Sequence, residues 1–197
     1  MVRQRPTAPV AFEADVSVRD RIMATACRLF YEEGIQAVGI QRIIDEAGIA
    51  KASLYAHFAS KDDLVAAYLA EKGKSVRSAI AVHLENPRLG PKAKILKFFD
   101  MLVCAAEGPN FRGCAFNNAS AEVADPAHPI RVATREQRAW IHQVFTDLAR
   151  ELMGPAGAER LAGSLMVIYD GAAATTVIDG DPAAARHARW AAEKMLG

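Results

Sequence analysis

The stretch IQRIIDEAGIAKASLYAHFASKDDL, residues 40–64, decides how this chain is read. Its apolar residues return at intervals of three and four: Ile40, Ile43, Ile44 and Ala47 first, then Leu54 and Phe58. That is helical spacing, and with Gly48 between the two runs it predicts short helices over 40–47 and 51–58. Helices below ~12 residues are marginal alone in water, so both must share a core with neighbours. Upstream, Ser17 with Asp20 three places on starts a helix carrying Ile22, Met23, Ala26, Leu29 and Phe30 on one face and stopping at Gly34. Downstream, Ser60 with Asp63 forms a capping box for a long helix whose stripe is Leu64, Val65, Tyr68, Leu69, Val76, Ile80 and Leu84, ending near Glu85.

Beyond Asn86 the chain is punctuated by Gly108-Pro109-Asn110, Asp125-Pro126, Gly154-Pro155 and Gly180-Asp181-Pro182. These breaks predict helices at 91–107, 114–124, 129–153, 156–178 and 182–196, and no segment keeps a strand-like alternation. The expected fold is all-α: an N-terminal three-helix unit of helix-turn-helix type, joined by a long helix to a C-terminal helical bundle. The organisation follows as a flexible arm at 1–16, a helix-turn-helix domain at 17–63 and a bundle domain at 64–197.

The 197 residues are 51% hydrophobic and 24% charged, which excludes a disordered chain. Uncharged runs such as Ala52 to Ser60 and Gly113 to Ala121 reach nine residues, against the ~20 apolar residues of a membrane-spanning helix. The first residues have no apolar core of the secretory type. The expectation is a cytoplasmic protein with no membrane partner. Cys27, Cys104 and Cys114 form no CxxC pair and suit reduced thiols. Oxidation of Cys104 and Cys114 could serve as a switch, but free cysteines are commonly small core residues, and that reading is preferred.

Net charge is +1, so any nucleic-acid surface must be a local face. In a helix-turn-helix the second helix enters the major groove. With Leu54 and Phe58 inward, Ala52, Ser53, Tyr55 and Ala56 point away, with Lys51 and His57 on the flanks. Small side chains let the backbone approach base edges, alanine methyls can meet thymine methyls, and Ser53 can hydrogen-bond a base or phosphate. Tyr55, His57 and Lys51 reach the flanking phosphates, and Lys61 sits in the first turn of the next helix, where an anion is already favoured. The plain alternative is a solvated helix of an orphan three-helix unit. Between Ser17 and Asp63 six basic residues face seven acidic ones, a balance of −1. Counterion release scales with phosphates neutralised, so two copies on one duplex are expected.

The run from Gly48 to Leu64, with Ala26-Cys27-Arg28-Leu29-Phe30, Gly34 and Ile43-Ile44-Asp45-Glu46-Ala47-Gly48 upstream, resembles the signature of the tetracycline-repressor (TetR) family of bacterial transcription regulators over roughly residues 18–68. The resemblance implies a homodimeric repressor that reads a double-stranded DNA operator and releases it when a small molecule binds the C-terminal bundle, with dimerisation through the last two helices. It places Lys51, Ser53, Tyr55, His57 and Lys61 at DNA-contacting positions and Gln41 and Arg42 near the DNA backbone. Where the family has Ser or Thr before the second helix, this chain has Val38-Gly39, so a side-chain cap is lost.

In the bundle, Phe98, Leu102, Phe116, Trp140, Phe145, Met166 and Tyr169 lie on apolar stripes, and Asn117 and Asn118 interrupt one of them. Most such residues are core, but a pocket between bundle helices needs aromatics of this kind with a few polar groups, so the first seven with Asn117 are the candidate lining for an apolar effector. Leu161, Leu165, Ile168, Ala172 and Thr176, with Ala184, Ala188, Ala191 and Met195, form faces that suit either a dimer interface or packing inside one subunit. Gly73-Lys74-Ser75 imitates the end of a phosphate-binding loop but falls inside a helix. Asp125 and His128 alone do not make a metal site, and no HExxH, GxSxG or Glu-x-x-His pattern occurs. No catalytic residue, metal or cofactor is expected. The rival reading is a small-molecule-binding bundle or enzyme that kept a helix-turn-helix as scaffold.

Overall fold

Ser17 starts the first helix as its spacing indicates: its Oγ accepts the Asp20 N–H at 3.1 Å and donates to the Asp20 carboxylate at 2.7 Å. In the computed structural model, which describes residues 16–197, this helix is α1 (Val18–Glu33), ended by Gly34 at φ 98. The arm read at residues 1–16 lies, apart from Val16, outside the described residues. Next come α2 (Ile40–Ala47) and α3 (Lys51–His57), then α4 (Lys61–Leu84), which repeats the cap of α1: Ser60 Oγ accepts the Asp63 N–H at 3.1 Å. As the sequence suggests, α2 starts at Gly39 without a side-chain cap.

The described residues divide into two compact units, the first ending at Leu69 and the second running Ala70–Gly197. In the first, Ile22, Leu29, Ile43, Leu54 and Leu64 are fully buried. Phe30 meets Tyr68 edge to face with ring centroids 5.6 Å apart. Leu64, Val65, Tyr68 and Leu69 are all buried, which is why this unit runs past residue 63.

The second unit holds the rest of α4 with α5 (Pro91–Ala106), α6 (Ala115–Ala121), α7 (Pro129–Met153), α8 (Ala158–Asp179) and α9 (Ala183–Met195). Helix α6 is shorter than the 114–124 expected, because Glu122 and Val123 turn back onto Ala119 and Ser120. Helix α8 starts late because Gly157, at φ 91, cannot join it. Helix α9 starts one residue later than expected, with Pro182 at its cap position, and Asp181 just before it accepts the Ala183 N–H at 2.8 Å. The core centres on Phe98, Phe99 and Phe145, with Phe98 and Phe145 4.7 Å apart edge to face. Small Ala185, Ala188 and Ala192 let α9 lie close to α5 and α8.

Among the described residues α8 is long and apolar enough to cross a membrane by length and composition, a property that the count of uncharged runs did not register. Its Leu161, Ala162, Leu165, Met166, Ala172 and Ala173 are nevertheless buried in the bundle. Of the faces read from sequence as suiting a dimer interface or internal packing, Ile168, Ala184 and Ala191 are half-buried and Met195 is exposed. Leu161, Leu165, Ala172, Thr176 and Ala188 are interior, and the large apolar side chains most exposed on α8 and α9 are ones that reading did not name: Val167, Ile178 and Trp190, at 71%, 80% and 61%.

Candidate nucleic-acid interface

Helix α3 is aimed by the turn before it. Gly48 adopts φ 62, ψ 46, its N–H reaches Asp45 O at 3.3 Å, and the Ile49 N–H reaches Ile44 O at 3.2 Å. This pair closes α2 with a Schellman motif, which favours glycine at the left-handed position. The Arg21 guanidinium of α1 then donates to Ala47 O at 2.6 Å and Gly48 O at 2.8 Å, tying the turn to the unit's first helix. A Cβ on Gly48 would meet that guanidinium at 3.0 Å.

An ion-pair lattice joins α1 to α2. Arg42 of α2 holds Glu33 of α1 bidentately at 2.7 and 2.8 Å and Glu46 at 2.7 Å. Arg28 of α1 bonds Glu46 as well and Glu32 at 3.3 Å. The hydrogen bond that the Arg42 guanidinium donates to Glu46 leads in holding it above its usual range. Burial pushes the Glu46 carboxyl up, but hydrogen bonds from Arg42 and Arg28 outweigh it and leave the group below its ordinary value. These contacts fix α1 against α2, and α2 in turn sets α3.

Leu54 of α3 is fully buried and Phe58, just past its end, nearly so, while Lys51, Ala52, Tyr55, Ala56 and His57 are exposed and Ser53 is half-buried. The Arg19 guanidinium lies 5.5 Å from the Phe58 ring centroid, covering the inner end of the helix. Lys61, half-buried, opens α4 within the turn capped by Ser60. The structure therefore brings Lys51, Ala52, Ser53, Tyr55, Ala56, His57 and Lys61 onto α3 and the start of α4. Gln41 is exposed on α2, its amide donating to Asp45 at 2.8 Å. Arg42 differs from the rest because two carboxylates already occupy its guanidinium. The sequence reading missed Arg21, Arg28, Glu33 and Glu46 as supports. The i, i+4 pairs Arg28–Glu32 and Arg42–Glu46 could have been found by spacing, whereas the cross-helix bonds needed the packing of α1 on α2.

In the bundle, Phe98, Leu102, Phe116, Phe145 and Met166 are buried, with Trp140 and Tyr169 half-buried. Tyr169 meets Phe99 edge to face at 5.7 Å, and burial drives its phenol above the ordinary value. The Arg77 guanidinium lies 5.2 Å from the Trp140 ring centroid, and its Nε donates to Gln137 Oε1 at 3.3 Å. Gly73 belongs to this packing: a Cβ there would meet Gln137 Oε1 at 3.2 Å and Phe116 at 3.5 Å, so the glycine serves close helix approach rather than phosphate. Asn117 donates to Asp170 at 3.0 Å and borders an open groove between α6 and α7. Of the cysteines expected inside, Cys104 is exposed instead, because its position on α5 faces away from the core, and burial pushes the half-buried Cys114 thiol up. Among the described residues no group of three or more His, Cys, Asp and Glu could hold a metal ion.

Residues 22–68 match the model of a family described as bacterial regulatory proteins, tetR family. The HTH-type transcriptional regulator LmrA of Bacillus subtilis is 30% identical over 122 residues, covering 60% of this chain and 63% of LmrA. The HTH-type transcriptional repressor DhaR of a Mycobacterium species is 25% identical over 118 residues, covering 60% of this chain and 58% of DhaR. The chain thus spans about three fifths of the length of these two relatives. Similarity to a solved structure runs further. SCO4454, a TetR-family transcriptional regulator from Streptomyces coelicolor, is 35% identical with a TM-score of 0.85, over 91% of this chain and 94% of that one.

Proposed function

The chain belongs to the TetR family of bacterial regulatory proteins, a DNA-binding transcriptional regulator and not an enzyme, and from that premise we propose that it is a homodimeric repressor released from its operator by a small molecule. The observation that carries this reading is the outward face of α3. Ala52, Ser53, Tyr55 and Ala56 meet base edges in the major groove, and Lys51, His57 and Lys61 hold the flanking phosphates, with Gln41 beside them on α2. Residues 17–63 read the operator, and residues 64–197 bind the effector and dimerise. Such a protein works in the cytoplasm, where its operator is.

The dimer forms through the exposed apolar stripe of α8, Val167, Gly171, Ala174 and Ile178, with Trp190 of α9 beside it. These α8 positions recur at four, three and four residues, which is one helix face. The effector's apolar part is received among Phe98, Leu102, Phe116, Trp140, Phe145, Met166 and Tyr169. Two recognition helices must meet half-sites ~34–36 Å apart, so a change in their separation breaks the match. A selection of duplexes from a random pool, followed by titration of the selected DNA, tests the reading. Tight, salt-dependent binding of one palindrome-like sequence is the expected result, and indifference to every duplex at low ionic strength would remove it.

A further inference from the structure

We propose that the groove between α6 and α7 is an organic-anion site that takes the acidic group of the effector. The inference rests on the effector reading above and adds the chemical class of the ligand. Helix α7 sets Arg131, Arg135 and Arg138 at i, i+4 and i+7, along one face, and all three line an open cavity of about 420 Å³. Asn117 and Ser120 of α6 form the facing wall. The volume lies in the range of small-molecule sites.

Charge gives the groove its ligand class. Arg138 is paired with Asp170 of α8. Arg131 donates to Ser120 O at 3.4 Å and Arg135 to Pro126 O at 2.8 Å, and among the described residues neither forms an ion pair with a carboxylate. Two guanidinium groups thus line one concavity with no carboxylate within salt-bridge distance among the described residues, and a cleft lined by one sign of charge focuses the field on whatever enters. Each guanidinium carries five N–H donors in a planar fork that fits a carboxylate or phosphate edge. A purely apolar ligand would offer no acceptor to the donors that remain.

Asp170 makes the site responsive. It accepts from Asn117 of α6 at 3.0 Å and from Arg138 of α7, so one carboxylate on α8 joins both neighbours. An incoming acid competes with Asp170 for Arg138. Binding therefore loosens the link of α8 to α6 and α7, a difference between states of the kind on which a ligand switch depends.

Calorimetric titration of the full chain with octanoate, octyl phosphate and octanol tests the proposal, since the three share a tail and differ in the head. At least one anion should bind about tenfold or more tighter than octanol, and the ratio of the two anions assigns carboxylate or phosphate. The Arg131→Gln, Arg135→Gln double variant, checked by its melting curve to be folded, should lose about tenfold or more in anion affinity with octanol unchanged. Equal binding of octanol and the anions, no anion binding, or full anion affinity in the folded variant would each overturn it. If octanol alone released operator from both proteins, the effector reading would stand and this one would fall. Arginine-dependent anion binding without any release would keep the site and remove its regulatory role.

Discussion

Gly48 carries a conformational demand that no other residue type meets cheaply. Its φ of 62 costs an L side chain ~1–2 kcal/mol, and a Cβ would press on the Arg21 guanidinium at 3.0 Å. Gly48→Ala should therefore lower stability by about 1–2 kcal/mol in denaturant melts and weaken operator binding through misaimed α3. Glu46 gives a pH signature. Its folded-state value lies below the ordinary 4.5, so the stability it contributes is fully present above that value and is lost as pH falls through the folded value. Unfolding free energy measured from about pH 5 down to about pH 3 should fall more steeply in the native protein than in Glu46→Gln. Lys61→Ala should weaken binding to all duplexes and reduce the slope of log affinity against log salt by about 0.9, whereas Ser53→Ala should change which sequence is preferred. At cysteines, Ellman's reagent should modify exposed Cys104 faster than Cys114, whose thiol burial pushes up.

Helix boundaries were readable wherever a side chain or a glycine enforces them. The Ser17–Asp20 and Ser60–Asp63 caps, and the stop at Gly34, stand where spacing puts them. Helix faces were readable only where polar residues mark the outside. On α3, polar Ser53 and His57 among the apolar residues show which way Leu54 points. Helix α8 has a mean hydropathy of 1.5 over its apolar window, so its pattern does not separate the interior Leu165 and Met166 from the exposed Val167 and Ile178. That is why the face of α8 proposed for dimerisation stands out only against the packing of α7 and α9. Ile178→Asp with Trp190→Asp should weaken self-association by about 2 kcal/mol or more in sedimentation velocity while leaving the helical signal intact. An unchanged association constant would move the interface elsewhere.

Across the whole chain the balance of charge is nearly even, and the site built from it divides the same way. The exposed face of α3, proposed here to meet DNA, was legible because one helix carries it and its period orders it. Its supports and the arginine groove were not, because Arg21, Arg42 and Arg138 acquire meaning from partners 9 to 32 residues away. The contacts that hold α1, α2 and the turn before α3 together have one more consequence. By pairing Arg28 and Arg42 with carboxylates, and by tying the Arg21 guanidinium to two carbonyls, they keep three cations from serving as phosphate contacts on any duplex. A reader so sparing of indiscriminate attraction loses little time on the millions of decoy steps a genome offers, and depends on fit at the right one.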